Sequence, residues 1–205
     1  TRSREETIGT RMTIEGGQIS ERGSIGAPAG TVITIENLFY TVPARLKFLK
    51  SDTTERRQID LLISRYAMAY PSVRFNLIHA GRTAFQTTGN GSLKDVLIAV
   101  YGLAVAEQMI ELQSPAQPSP ANAGEGGRIA VSGFISAPAL SRANRTDMTI
   151  FVNGRWVQDR GLNTAVLQAY HTLLMVGRYP LCIVRVEIDP EDVDVNVHPA
   201  KAEVR

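Results

Sequence analysis

The chain has 205 residues, 22 Lys and Arg against 20 Asp and Glu, a formal charge of +2, and 43% hydrophobic residues. That length and balance suit one large or two small globular domains with a buried core. They exclude a membrane-spanning helix, which needs an apolar run of about 18 residues that the sequence lacks. Cys182 is the only cysteine, which excludes an internal disulfide and a cysteine-rich zinc site, and fits a cytoplasmic location.

In chain order, residues 7–14 and 31–36 alternate enough to predict strands, separated by the glycine-rich turns at Gly16-Gly17 and from Gly23 to Gly30. Pro43 opens a short basic helical segment over Ala44 to Lys50. Ser51 or Asp52 caps the next helix, with Glu55 placed as in a capping box. Ile59, Leu62, Ile63, Tyr66 and Tyr70 follow helical spacing as its apolar face, and Pro71 ends it. Val73 to Ile78 and Thr83 to Thr87 predict a hairpin around Ala80-Gly81. The break Gly89-Asn90-Gly91-Ser92 marks a domain boundary, giving domains over 1–88 and 92–205.

The second domain starts with a helix over Leu93 to Tyr101, followed by strands near 108–112 and 128–136. Between them, residues 113–127 (QSPAQPSPANAGEGG) are poor in apolar side chains and predict a mobile loop. A strand over 148–153 and a helix over 161–175 come next, the latter with Leu162, Val166, Ala169, Tyr170 and Leu173 as its core face. A strand over Leu181 to Ile188 follows, in which Cys182 reads as a small core residue. The mixed order of strands and helices predicts an α+β fold.

Charge is unevenly spread. Residues 128–178 hold six arginines (Arg128, Arg142, Arg145, Arg155, Arg160 and Arg178) and only two acids, Asp147 and Asp159. A local basic surface on a near-neutral protein suggests a polyanion partner. The plain alternative is a solvated arginine face.

At the end of the chain, Val193, Val195 and Val197 alternate with Asp194, Asn196 and His198, and Pro199 and Lys201 follow. The period of two predicts a strand with one polar face. Three readings stay open from pattern alone: a half-buried strand, a metal site on Asp194, Asn196 and His198, and a lysine held at a strand end for a phosphate.

Three strings in the order 30–49 (GTVITIENLFYTVPARLKFL), 151–160 (FVNGRWVQDR) and 193–205 (VDVNVHPAKAEVR) resemble the MutL family of DNA mismatch repair proteins, members of the GHKL ATPase superfamily. The resemblance implies that residues 1–88 are the later part of a GHKL-type α/β sandwich. Residues 92–205 are then a transducer domain with a ribosomal-S5-domain-2-like fold. It implies that Thr31 reads the adenine edge and that Lys201 reaches the γ-phosphate of ATP. Arg155 and Arg160, with Arg142 and Arg145 as further candidates, would contact DNA without regard to sequence. Thr41 stands where the family usually has Asn.

The same resemblance implies an ATP-dependent clamp that couples mismatch recognition to strand removal. Its partners would be DNA, a second MutL protomer, the mismatch-recognition protein MutS, and a downstream nuclease or helicase, with no membrane. ATP and Mg2+ would serve the complete module, and none is expected to bind tightly to this chain. The chain reads as a piece of a longer protein, because the general-base Glu and the magnesium-binding Asn of the superfamily are expected upstream of Thr1. The alternatives are the ATPase and transducer part of another GHKL protein, such as a type II topoisomerase, and a simple S5-like nucleic-acid-binding module.

Overall fold

The computed structural model describes residues 1–118 and 128–192. Two compact units divide between Glu55 and Arg56, within the first turn of a helix.

In the first unit, β1 (Gly9–Glu15) and β2 (Gln18–Ile25) form an antiparallel hairpin. Gly16 and Gly17, at φ 57° and 87°, make its two-residue turn, a conformation with both central residues at positive φ that matches the twist of the strands. Residues 31–36, expected as a strand, belong to none. The segment has the alternating side chains of a strand, yet a strand exists only where a neighbour completes its ladder. Its nearest pairing is the single bridge between Arg2 and Gly30, and Val32 remains 84% exposed. Pro43 opens a 3-10 helix over Pro43–Phe48, as its fixed φ favours.

Helix α1 (Asp52–Ala69) leads into the second unit. The Glu55 carboxylate accepts from the Lys50 backbone N–H at 2.8 Å, two residues before the Asp52 N–H that a capping box would use. The hairpin of β3 (Asn76–His79) and β4 (Arg82–Gln86) comes next, then α2 (Leu93–Tyr101) and the short α3 (Leu103–Ala106). Ser92 caps α2, its hydroxyl accepting from the Asp95 N–H at 3.1 Å.

A five-stranded mixed sheet forms the centre of this unit. It comprises β5 (Met109–Pro118), β6 (Arg128–Ser136), β8 (Met148–Val152), β9 (Arg155–Val157) and β11 (Cys182–Glu187), in the order β5-β6-β11-β8-β9. β11 is parallel to β8 and antiparallel to β6. The two-residue strands β7 (Ser141–Arg142) and β10 (Tyr179–Pro180) pair separately. Helix α4 (Arg160–Ala169) joins β9 to β10.

Alternation along β8 and β11 builds two cores, one on each face of the sheet. Phe151 and Ile183 share a cluster with Val96 and Leu97 of α2 and with Ala67, Met68 and Ala69 of α1. Ile150, Val152, Cys182 and Val184 share the other with Leu162, Val166 and Leu167 of α4. Strands buried on both faces read as near-continuous apolar runs, as β8 does throughout and β11 does from Cys182 to Val184, before Arg185. Gly133 lies where β6 meets β11. A Cβ there would sit 1.9 Å from the Ile183 carbonyl oxygen, and φ is 137°, so only glycine permits this approach.

Residues on both sides of the expected break at 89–92 pack in one core, the end of α1, Phe75 and Phe85 with Leu97 and Phe151. Several expectations about single elements need correction. Part of the expected loop at 113–127 is strand: β5 runs on to Pro118 across an irregularity between Ser114 and Gln117, since β6 supplies partners as far as Arg128. Residues 119–127 lie outside the described residues. Helix α4 stops at Ala169, and Ala169 and Leu173 are exposed instead of core. On α1 the apolar face itself is different: Ile59, Leu62, Tyr66 and Tyr70 are exposed, and burial is confined to Ala67, Met68 and Ala69. Cys182 is fully buried, as expected, and burial pushes its thiol pKa up to about 12.

Candidate nucleic-acid interface

The β8–β9 turn is fixed from several sides. Asn153 and Gly154 both have positive φ, 48° and 76°, as a type I′ turn requires and as the Asn-Gly pair favours. The Asn153 side chain donates to the Ile188 carbonyl and accepts from the Ile188 N–H, both at 3.0 Å. A Cβ at Gly154 would lie 3.1 Å from the Tyr70 hydroxyl. This turn delivers Arg155 at the start of β9, half-buried, opposite Val152.

Five residues later Arg160 opens α4 and is exposed. The neighbouring acid is already engaged: Asp159 Oδ1 caps the helix by accepting from the Leu162 N–H at 2.8 Å. The Asp159 carbonyl accepts from the Asn163 side-chain amide at 2.7 Å. An exposed guanidinium beside the positive end of a helix suits a phosphate oxygen.

Arg142 and Arg145 stand elsewhere. Arg142 Nε donates to Asp147 at 2.8 Å, and the Arg145 guanidinium lies 5.1 Å from the centre of the Tyr179 ring. Arg178 donates to the Ser141 hydroxyl and carbonyl at 3.0 and 2.9 Å. These residues surround the entry to β8, whereas Arg155 and Arg160 follow its exit, a strand length of about 17 Å away at the usual rise per residue. The four candidate arginines therefore fall into two pairs. Arg142 is also partly neutralised by Asp147, which weakens it as a phosphate ligand.

Sequence reasoning assigned Tyr66 and Tyr70 to a core and gave Arg65 and Trp156 no role. In the structure the second half of α1 and the β8–β9 turn enclose a groove of about 410 Å³. It is lined by Arg65, Tyr66, Tyr70, Phe151, Arg155 and Trp156, among others. The Arg65 guanidinium lies over the Trp156 ring, 3.9 Å from its centre. Burial lowers the Arg65 pKa from its usual value, against a smaller opposing effect of Tyr101. The Tyr66 and Tyr70 rings lie 6.4 Å apart and 19° from parallel. Their i, i+4 spacing was visible in the sequence, but the same spacing serves a core face equally well.

In the first unit, the hydroxyl of Thr31 lies 2.8 Å from that of Thr1, and both are exposed. Such a pair can both donate and accept, as recognition of an adenine edge requires. A separate groove of about 740 Å³ along β1 and residues 32–40 includes Arg11, Thr13, Glu15, Thr34, Glu36 and Tyr40, and Thr31 does not line it. Lys201, Asp194, Asn196 and His198 lie outside the described residues. Among the described residues no group of three or more His, Cys, Asp or Glu side chains is placed to hold a metal ion. Among them, too, no helix is long and apolar enough to cross a membrane.

Residues 97–205 match the family described as "DNA mismatch repair protein, C-terminal domain". The chain is 44% identical over 197 residues to the DNA mismatch repair protein MutL of Halalkalibacterium halodurans, covering 96% of this chain and 29% of that protein. It is 42% identical over 200 residues to the MutL of Streptococcus thermophilus, covering 98% of this chain and again 29% of the relative. The chain thus spans less than a third of the length of these relatives. Among solved structures, the Aquifex aeolicus MutL ATPase domain complexed with ADP is similar with a TM-score of 0.66 and 29% identity, over 92% of this chain and 66% of that one. The N-terminal domain of a DNA repair protein shares the fold with a TM-score of 0.79 at 21% identity, over 99% of this chain and 64% of that one. The α+β fold is therefore that of the MutL ATPase domains, and the alternative of a type II topoisomerase falls away. The chain belongs to the MutL family of DNA mismatch repair proteins.

Proposed function

We propose that this chain is the DNA-contacting, nucleotide-sensing part of a MutL clamp that works in the cytoplasm and couples mismatch recognition to strand removal. Residues 1–88 would come from a GHKL-type ATPase sandwich and residues 92–205 would form the transducer domain. The observation that carries the DNA reading is the segment from Arg155 to Arg160. A rigid turn and a capped helix present two guanidinium-bearing residues within six positions, and the adjacent carboxylate of Asp159 is spent on the cap. Contacts of this kind go to backbone phosphates, so they are independent of sequence and sensitive to salt.

On the nucleotide side, ATP supplies a terminal phosphate that ADP lacks. The exposed hydroxyl of Thr31 is suited to an adenine edge, and Lys201 would carry the compensating charge for the phosphate. A contact that distinguishes the two nucleotides is what a switch requires. The partners of the clamp would be a second protomer of the same family, MutS, and a downstream nuclease or helicase.

The direct test is Arg160→Glu in the full-length protein. Duplex binding at low salt should fall about tenfold or more while ATP binding stays near the parent value. Equal duplex affinity would remove Arg160 from the interface. The nucleotide reading is tested by Lys201→Ala: loss of a charge-assisted contact should slow hydrolysis about ten- to a hundredfold and weaken ATP-dependent dimerisation, with ADP binding unchanged. Parent-like turnover and dimerisation would make Lys201 a surface residue.

A further inference from the structure

The chain leaves the central sheet at Ile188. The ladder of β11 with β6 ends at the pair Glu187–Ala130, and its ladder with β8 ends at Val186–Val152. The backbone N–H and carbonyl of Ile188 therefore lie beyond both ladders, where such groups need other partners. The side chain of Asn153 serves both: its amide donates to the Ile188 carbonyl and its oxygen accepts from the Ile188 N–H, each at 3.0 Å. The Asn153 backbone N–H adds a third bond, donated to the Val186 carbonyl at 2.9 Å. Beyond Ile188 the chain makes a compact corner. The Asp189 carboxylate accepts from the Glu191 N–H at 3.0 Å, and Pro190 opens a 3-10 turn over Pro190–Asp192. In sequence, residues 193–201 continue from this corner to Lys201.

We infer that Asn153 is a positioning residue for Lys201: its carboxamide sets the direction in which the chain leaves β11, and so where the lysine stands relative to the terminal phosphate. The inference rests on the reading of Lys201 as the phosphate contact. The β8–β9 turn itself does not call for this side chain. A type I′ turn asks only for positive φ at both central residues, which glycine meets as readily as asparagine. Nor does the core call for it, since Asn153 is exposed and water can satisfy the Ile188 backbone in its place. What water cannot do is fix an angle. Two opposed bonds from one planar carboxamide hold both polar groups of Ile188 in a single orientation, and a rotation at this joint displaces whatever the chain carries beyond it. A lysine is a point charge on a flexible stem, so its placement depends on the backbone beneath it. A displacement of about 1 Å at a reacting centre can cost roughly a hundredfold in rate.

The test is ATP hydrolysis by the full-length protein carrying Asn153→Gly, which keeps the backbone of the turn and removes the carboxamide. Turnover should fall about tenfold, with ADP affinity and melting temperature near the parent values. Asn153→Asp keeps the bond from the Ile188 N–H and loses the donor to the carbonyl, and should turn over at a rate between the parent and Asn153→Gly. It is the variant read if Asn153→Gly melts well below the parent. Both substitutions are repeated in a Lys201→Ala background. A residue that acts through the lysine has nothing left to position there, so turnover should change by less than about twofold. A merely structural role would lower turnover alike in both backgrounds. Parent-like turnover of the Asn153 variants, or an equal further loss beside Lys201→Ala, overturns the inference. If those variants are parent-like while Lys201→Ala is slow, the phosphate contact stands and the positioning falls. If Lys201→Ala is itself parent-like, both fall.

Discussion

Residues 1–55 and residues 56–192 are built from similar sequence material and reach different ends. In the first unit the β1–β2 hairpin is closed by backbone hydrogen bonds, yet Met12, Ile14, Ile19, Val32, Ile33 and Ile35 are all exposed. In the second, one sheet is covered on both faces, and Phe151 is 1% exposed. A hairpin alone is marginal in water, whereas a sheet clad on two sides sustains itself. Apolar content alone therefore does not make a core. What matters is whether each strand has a neighbour on its edge and a layer over its face.

The largest expected effect lies where β6 and β11 approach. Gly133→Ala places a methyl group against the Ile183 carbonyl at a backbone conformation that disfavours any side chain, and should cost more than about 4 kcal/mol. The soluble yield and far-ultraviolet circular dichroism of the variant check this; a folded protein of parent stability would show that the strands can move apart. Phe151→Ala, at the centre of the core shared by α1, α2 and the sheet, should lower stability by about 3–5 kcal/mol in urea titration. A loss under about 1 kcal/mol would mean that this face is less tightly packed than its burial implies.

The buried thiol gives a smaller effect with a definite sign. Cys182 has a folded pKa of about 12 against an ordinary value of 9.0, so between these values the unfolded chain releases the proton first. Stability is then full below about pH 9 and falls as pH rises, by at most about 1.4 kcal/mol per pH unit from this group. Native protein should resist alkylation at pH 8, and Cys182→Ala should show a shallower loss of stability above pH 9 than the parent. Rapid alkylation without unfolding would contradict the burial. Smallest of all is Ile33→Ser in the first unit, which removes an exposed apolar side chain and should change the stability of this chain by less than about 0.5 kcal/mol. A large loss there would break the contrast between the two units.

Much of the second unit was legible because its signals are local or redundant. The helix over Leu93 to Tyr101 and the strands over 148–153 and Leu181 to Ile188 follow from local apolar patterns, and they stand as α2, β8 and β11. What the sequence could not show depends on a partner elsewhere in the chain. Residues 31–36 alternate like a strand but have no ladder. Residues 113–118 look like a loop, yet β6 extends far enough to pair with them. The arginines clustered in sequence are divided in space because β8 separates them, and Tyr66 and Tyr70 keep helical spacing while facing outward. The family resemblance, by contrast, was carried by three short strings, because turn and signature residues are fixed by geometry that composition does not reveal.

The central claim is that the end of the β8–β9 hairpin and the start of α4 hold a DNA phosphate. Its most direct measurement is the salt dependence of duplex binding by the full-length protein, parent against Arg160→Ala. Each phosphate contact contributes a slope of about 0.9 in the logarithm of affinity against the logarithm of salt concentration. The variant should bind more weakly at low salt and show a slope smaller by about that one contact. Superimposable titrations, equal in both slope and affinity, would contradict the account.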